Sequence, residues 1–373
     1  VAVAKQKDMS IETLRGLAII LMVAGHVIGD KPTNGLRVGD DSEFRHFYYS
    51  LQFFRLPLFT VISGWVYTLR PVIAGKSLTF LRGKARRILF PMAAVGTLEF
   101  LMRVVVPGTN TKVALSEIWR IYLFPFDHFW FLQAIFLVFV TVTLGERLKL
   151  FETPARWASA LSVFVLVVWS TTQAPWPPAS NPFSFESYLY LLPFFVLGLG
   201  IGRFAEQLRS PWLIAPAAVI FLVGIVYQQA AWYHVDLPGI GRVNTEARQS
   251  LFGLAIGLTG CTLLFRVRWT TGWLAWLGYY AYGIYLFHVF GTAGSRIVAT
   301  KVLGLQTGLP LFFLSLAFGL CVPVVIEWVV ERPANSPTAA LRKASNALRL
   351  VFFGLRPKRP PQPEPQQERA ANP

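Results

Sequence analysis

The sequence is short of what a water-facing protein depends on. Only 14% of its 373 residues are charged, 19 of them acidic, too few to clothe a soluble surface of this size. It has two cysteines, Cys261 and Cys321, each inside an apolar run with no metal-ligating or redox spacing around it. That excludes a disulfide framework, a zinc ribbon and a CxxC redox centre, leaves both as small core residues, and gives no reason to expect a metal. What is present is apolar: 54% hydrophobic residues, with 31 Phe, 12 Trp and 12 Tyr, and a mean hydropathy of +0.48. Such a composition fits a polytopic membrane protein with interfacial aromatic belts. The net charge of +16 would suggest nucleic acid in a soluble chain. Here positive loops on the inner side account for it, and no nucleic-acid partner is expected.

Ten apolar runs are drawn as spans: 13–30, 47–69, 88–106, 128–145, 157–173, 187–203, 212–228, 249–266, 273–291 and 309–330. The fold class expected is therefore all-α, a transmembrane helix bundle. Most Lys and Arg fall on the side of the N-terminus, which predicts N-in and C-in. Lys5 and Lys7 precede the first run as they would in a signal peptide, but no small-residue cleavage site follows. A retained first helix is expected. The organisation is a cytoplasmic segment 1–12, a membrane domain 13–333, and a segment 334–373 holding a basic amphipathic helix around Leu341 to Phe353 and a disordered Pro- and Gln-rich tail.

Ionisable groups inside these runs carry the functional signal, because each costs several kcal/mol in lipid unless it meets a partner or a polar cavity. The first span has Arg15 at its start and His26 well inside. At about 1.5 Å per residue the imidazole lies roughly 16 Å above the arginine, about halfway across the core. Arg15 can also snorkel, and His26 can satisfy a neighbouring helix. Arg55 lies in the second span two residues before Pro57, whose missing amide requires protein or water nearby. The stretch Arg82, Lys84, Arg86 and Arg87 supplies donors that suit phosphate groups, or plain topogenic charge. Glu99 and Arg103 have the spacing of a self-neutralising helical pair, and His128 beside Trp130 reads as an interfacial histidine. Tyr285 and His288, three apart, share a face of the ninth span.

Several stretches resemble acyltransferase family 3. Arg15 and His26, with ten residues between them around LRGLAI and GH, are similar to that family's first helix. FRLPLFTVISG from Phe54, HFWFL from His128, LPFFVLG from Leu192, YAYGIYLFH ending at His288 and the closing ERP at Glu331 resemble its later motifs. Leu56, Thr60 and Ala281 depart mildly from the usual residues, and the paired arginines before Phe90-Pro91 match inexactly. The resemblance spans roughly residues 11–333. It implies an O-acyltransferase of the bacterial inner membrane acting on sugars, lipopolysaccharide, peptidoglycan, exported polysaccharide or lipid-linked products. It also implies a reacting histidine at His26, Arg15 near the cytoplasmic end, and acyl-CoA, acetyl-CoA first, as co-substrate, with its phosphates on Arg82, Lys84, Arg86 and Arg87; Tyr285 is grouped with these donor-site residues.

Helix rise puts His26 about 20 Å up, Arg55 about 12 Å below the outer start of its span, and His288 about 22 Å up, one layer of a core about 30 Å thick. Asp30, one turn beyond His26, is positioned to orient its imidazole. The expected reaction moves an acyl group from cytoplasmic acyl-CoA to a hydroxyl of a carbohydrate or lipid-linked glycan on the outer side. His26 is the base and Arg55 the oxyanion partner. Two alternatives stand beside it. One is a flippase for a lipid-linked precursor, although no convincing repeat relates residues 1–186 to 187–330. The other is a partner subunit of a glycan-synthesis complex.

Overall fold

The structure, a computed structural model, describes residues 8–107, 109, 113–171, 181–239, 241, 243–336 and 338–358. Of the described residues 76% are helical, and no strand occurs among them. The Pro- and Gln-rich tail beyond 358 lies outside them, as does most of the loop following the fifth expected span.

The first helix, α1 (Met9–Ile28), starts where Asp8 caps it by accepting from the Ser10 amide, 3.0 Å away. There follow α2 (Glu43–Ser50), α3 (Pro57–Leu69), α4 (Ser77–Val105), α5 (Arg120–Leu123), α6 (Trp130–Arg147) and α7 (Pro154–Thr171). The rest is α8 (Phe185–Arg203), α9 (Ala205–Leu208), α10 (Pro211–Trp232), α11 (Leu251–Val267), α12 (Gly272–Tyr279), α13 (Ala281–Lys301), α14 (Leu309–Glu331) and α15 (Ala339–Phe353). Among the described residues, seven helical segments are long and apolar enough to cross a membrane. They rise to eight if α11 and α12, bent by 120°, count as one broken span.

Two of the expected continuous spans are divided. Residues 47–69 split into α2, a run of turns, and α3, whose thirteen residues are short for a spanning helix. Pro57 is the first residue of α3, where its missing amide leaves no helical bond unmade. Residues 273–291 split at Tyr280 into α12 and α13. At the first break Leu51, Phe53, Phe54 and Leu56 surround Gln52 and Arg55, and at the second Tyr280 is aromatic, so hydropathy stays high through a change of direction.

The outermost helices look like lipid-facing ones. In α7, α10 and α14 only 11%, 17% and 22% of the apolar window is buried within the protein, and side chains such as Trp212, Leu222 and Phe313 stand exposed. An apolar helix that presents most of its circumference outward is stable in hydrocarbon and costly in water. Cys261 is buried as a core residue, whereas Cys321 faces outward on α14 rather than into the core.

The inner layer positions α1. It packs along α12 at a distance that only glycine permits: a Cβ at Gly16 would overlap the Leu274 carbonyl, and one at Gly278 would overlap the Glu12 carbonyl. α1 also contacts α3, α13 and α14, so its far end is held where Tyr48, Arg55 and the first turns of α13 meet. The amphipathic helix expected near Leu341 is α15, which lies against α4 and α14 and is tied down by Arg349 to Glu331 at 3.1 Å.

Candidate active site

The C-terminal end of α1 opens into a cavity of about 590 Å³ lined by α1, α2, α4, the segment 127–131, Arg248 and α13. Three histidines from three elements converge on it. His26 lies near the end of α1, His128 in a single 3-10 turn (Asp127–Phe129) ahead of α6, and His288 on the second turn of α13. Ring centroids are 4.8 Å apart for His26 and His288, 4.6 Å for His128 and His288, and 6.0 Å for His26 and His128. His128 and His288 are wholly covered, while His26 is partly open and lines the cavity. The sequence reading had His128 at the interface. The 3-10 turn instead carries it inward, and the signal that could have found it is its match to a family motif.

The tautomer of His288 follows from its surroundings. Its Nδ1 lies 2.9 Å from the Tyr285 carbonyl, which can only accept, so Nδ1 carries the proton and Nε2 is left as an acceptor. That Nε2 is buried and has no hydrogen-bond partner among the described residues. Tyr285, one turn earlier, donates its hydroxyl to the His128 carbonyl and so braces the turn that presents the third imidazole. Behind His128, the Glu99 carboxylate lies 3.8 Å from Nδ1 and accepts from Arg103 at 2.6 Å. Arg103 also pairs with Asp127. Glu99, Asp127 and His128 hold three ligand-type atoms within 4.8 Å of one another. The guanidinium of Arg103 already supplies the positive charge between the two carboxylates that a cation would.

A buried guanidinium, Arg55, and a half-buried one, Arg248, form the opposite wall. Arg55, in the turns before α3, lies over the Tyr48 ring with its Cζ 4.1 Å from the centroid. Arg248 donates to the Tyr48 hydroxyl at 3.2 Å. A Cβ at position 25 would overlap Nη1 of Arg55, so Gly25, the residue before His26, gives the guanidinium its room. Arg248 precedes the run 249–266, within the largely polar stretch Asn244 to Ser250, and no motif marks it.

The remaining sequence-derived candidates fall elsewhere. Asp30 lines the cavity, but its carboxylate accepts from Asn34 Nδ2 at 2.7 Å; the imidazole beside His26 is that of His288. Arg15 sits at the other end of α1, paired with Glu12 at 2.8 Å. On the first half of α4, Arg82 and Arg87 are exposed, and Arg86 donates to the Gly354 carbonyl at 3.2 Å. Lys84 lies over Phe139, with Nζ 3.7 Å from the ring centroid. None of these five cations lines the cavity.

An acyltransferase-domain family model, that of acyltransferase family 3, matches residues 9–328. No curated protein and no solved structure matches the chain. The match takes in every histidine of the cluster, Arg55 and Arg248, and every spanning segment but for the last few residues of α14. The chain belongs to acyltransferase family 3 and is an integral membrane acyltransferase.

Proposed function

We propose that the protein transfers an acyl group, acetyl first among candidates, from cytoplasmic acyl-CoA to a hydroxyl of a carbohydrate or lipid-linked glycan on the far side of a bacterial inner membrane. The observation that carries this reading is that His26, His128 and Arg55 line one cavity at the end of α1 opposite Arg15, with the buried imidazole of His288 packed against both histidine rings. With the N-terminus inside, that cavity opens outward, where the acceptor arrives.

His26 takes the acceptor's proton as its oxygen attacks the thioester carbonyl, which requires a neutral imidazole. The carbonyl electron pair moves to oxygen, and Arg55, supported through Tyr48 by Arg248, meets that charge. Collapse breaks the C–S bond and leaves the ester. The proton held on His26 returns to the thiolate, which departs as free coenzyme A. His288, its Nε2 free to accept and its ring 4.8 Å from that of His26, is the group that would orient His26 during the reaction, the role the sequence assigned to Asp30; Asp30 then belongs to the acceptor wall. His128 and Glu99 stand beyond His288, and the Glu99 carboxylate 3.8 Å from His128 Nδ1 offsets, through space, the positive charge that forms on His26. Arg82, Lys84, Arg86 and Arg87, with Arg15, meet the donor's phosphates at the inner face, and Tyr285 braces the His128 turn below it.

The test is His26→Ala in purified protein that still binds acyl-CoA. Acyl transfer from labelled acetyl-CoA to a panel of glycans should fall by about two to four orders of magnitude. Undiminished transfer removes His26 from the mechanism.

A further inference from the structure

A second cavity, of about 310 Å³, lies at the opposite end of α1, between Asp8, the end of α3, the α8–α9–α10 corner and the end of α11. Its polar rim holds three guanidinium groups, Arg209, Arg266 and Arg268, with the hydroxyls of Ser10 and Thr262, while Trp65, Ile201, Leu208, Ile214 and Phe265 make an apolar wall. Asp8 is the one carboxylate of the lining, and it is committed. Partial burial works against its ionisation, but hydrogen bonds from Ser10 and the Arg268 charge outweigh that and hold its carboxyl below the ordinary carboxylate range. Its ion pair with Arg268 measures 2.9 Å. Arg209 and Arg266 are left with no carboxylate partner among the described residues.

Topogenic arginines need only stand at helix ends, and nothing in that duty brings three of them from two separate elements round one hollow. Like charges converging there repel unless an anion joins them. The apolar wall beside the charges adds a second requirement, because a free phosphate would leave Trp65 and Phe265 uncovered. We infer that this cavity binds a phosphate anion carried on an amphiphile, an anionic phospholipid with its headgroup among Arg209, Arg266 and Arg268 and its first methylenes against Trp65 and Phe265.

The position gives the ligand something to do. Arg268 caps α11 in a left-handed conformation, φ 49°, at the start of the 120° elbow into α12. The elbow is clasped to α1, since the Thr271 amide donates to Thr13 Oγ1 at 3.1 Å. A headgroup there joins the start of α1, the elbow and the α9 corner, the parts that set the height of α1. This inference does not depend on acyl transfer being the protein's activity.

The experiment compares the wild type with Arg209→Gln/Arg266→Gln and with Arg209→Lys/Arg266→Lys, leaving Arg268 in place because it is paired with Asp8. Each is purified, delipidated, and offered phosphatidylglycerol or phosphatidylcholine in mixed micelles, with lipid retention read by native mass spectrometry. The wild type should retain phosphatidylglycerol preferentially, the glutamine variant should lose about tenfold or more of that preference, and the lysine variant should keep most of it. A second arm titrates inorganic pyrophosphate against thermal unfolding. Stabilisation of the wild type by pyrophosphate, absent in the glutamine variant and without lipid preference, keeps the phosphate site but assigns it to a soluble ligand. Equal retention of both lipids by the wild type, with no pyrophosphate effect, overturns the inference. Should the glutamine variant fail to fold, the wild-type comparison of the two lipids decides alone.

Discussion

The guanidinium of Arg55 fills the space that any side chain at Gly25 would need. One residue on from that glycine is His26, so a backbone without a Cβ sets the distance between the proposed base and the group proposed to meet the developing oxyanion. Gly25→Ala should therefore remove activity while sparing the fold. Alanine favours a helix over glycine by up to about 1 kcal/mol, yet it must push Nη1 aside, and a displacement of about 1 Å in such a site costs on the order of 100-fold in rate. The check is kcat beside the unfolding midpoint. A double-variant cycle with Arg55→Lys should show that the two losses do not add, since both act on one guanidinium. Full activity in Gly25→Ala would separate Arg55 from the reaction.

His128 and Glu99 should matter beyond packing. Because Glu99 stands 3.8 Å from His128 Nδ1 and His128 neighbours His288, His128→Gln and Glu99→Gln each remove a member of the cluster that surrounds the charge on His26. A loss of about 10- to 100-fold in kcat is expected, with KM for the donor little changed. The base must be neutral, so the wild-type rate falls as pH drops through its titration. Losing one of these neighbours displaces that acid limb. A merely structural role would lower the whole pH–rate curve without moving the limb, and that outcome would exclude the electrostatic coupling.

The bundle itself was legible from the sequence, because lipid-facing helices such as α10 must be apolar all round and the run 212–228 is so. The breaks were not, since Gln52 and Arg55 read as polar residues within one apolar run, Tyr280 is as aromatic as its neighbours, and it is packing against other elements that turns the chain there. Within the site, His26, Arg55 and His288 announced themselves as ionisable groups in apolar runs, and their common depth could be reckoned from helix rise. His128 and Arg248 could not be found this way. Both lie near span ends, where a polar residue is ordinary, and their burial comes from a 3-10 turn and a loop whose course no periodicity encodes. Asp30 illustrates the converse: helical spacing put it one turn from His26, but the helix ends at Ile28, and beyond it the carboxylate turns to Asn34.

The cations of α4 differ in how free they are. Arg86 is engaged by the Gly354 carbonyl and Lys84 covers Phe139, so alanine at either disturbs packing. Arg82→Ala/Arg87→Ala is the cleaner variant. It should weaken acyl-CoA binding by about tenfold or more, the scale of losing hydrogen bonds to a charged group, while membrane insertion is unchanged. Equilibrium binding of labelled acetyl-CoA in detergent measures it. Unaltered affinity would return this stretch to topogenic duty.

The clasp between α15 and α14 gives the last expectation. Arg349 is almost covered; it donates to Glu331 at 3.1 Å and to Asn346 at 3.3 Å, while Lys358 reaches the other Glu331 oxygen at 3.3 Å. Arg349→Ala removes the central donor and opens a gap beneath the helix, so α15 should loosen by about 2 kcal/mol. Lys358 remains on Glu331, which keeps that carboxylate paired and limits the damage to α15 rather than to α14. Limited trypsin digestion reads this directly, because Arg342 and Lys343 lie within α15 and are cut only when it opens. Cleavage there should speed up roughly 30-fold, the equivalent of that free energy when opening precedes cutting, with the spanning segments untouched. Arg349→Met, which restores volume without charge, should recover part of the protection; equal cleavage in all three proteins would mean that α15 is held by its apolar face alone.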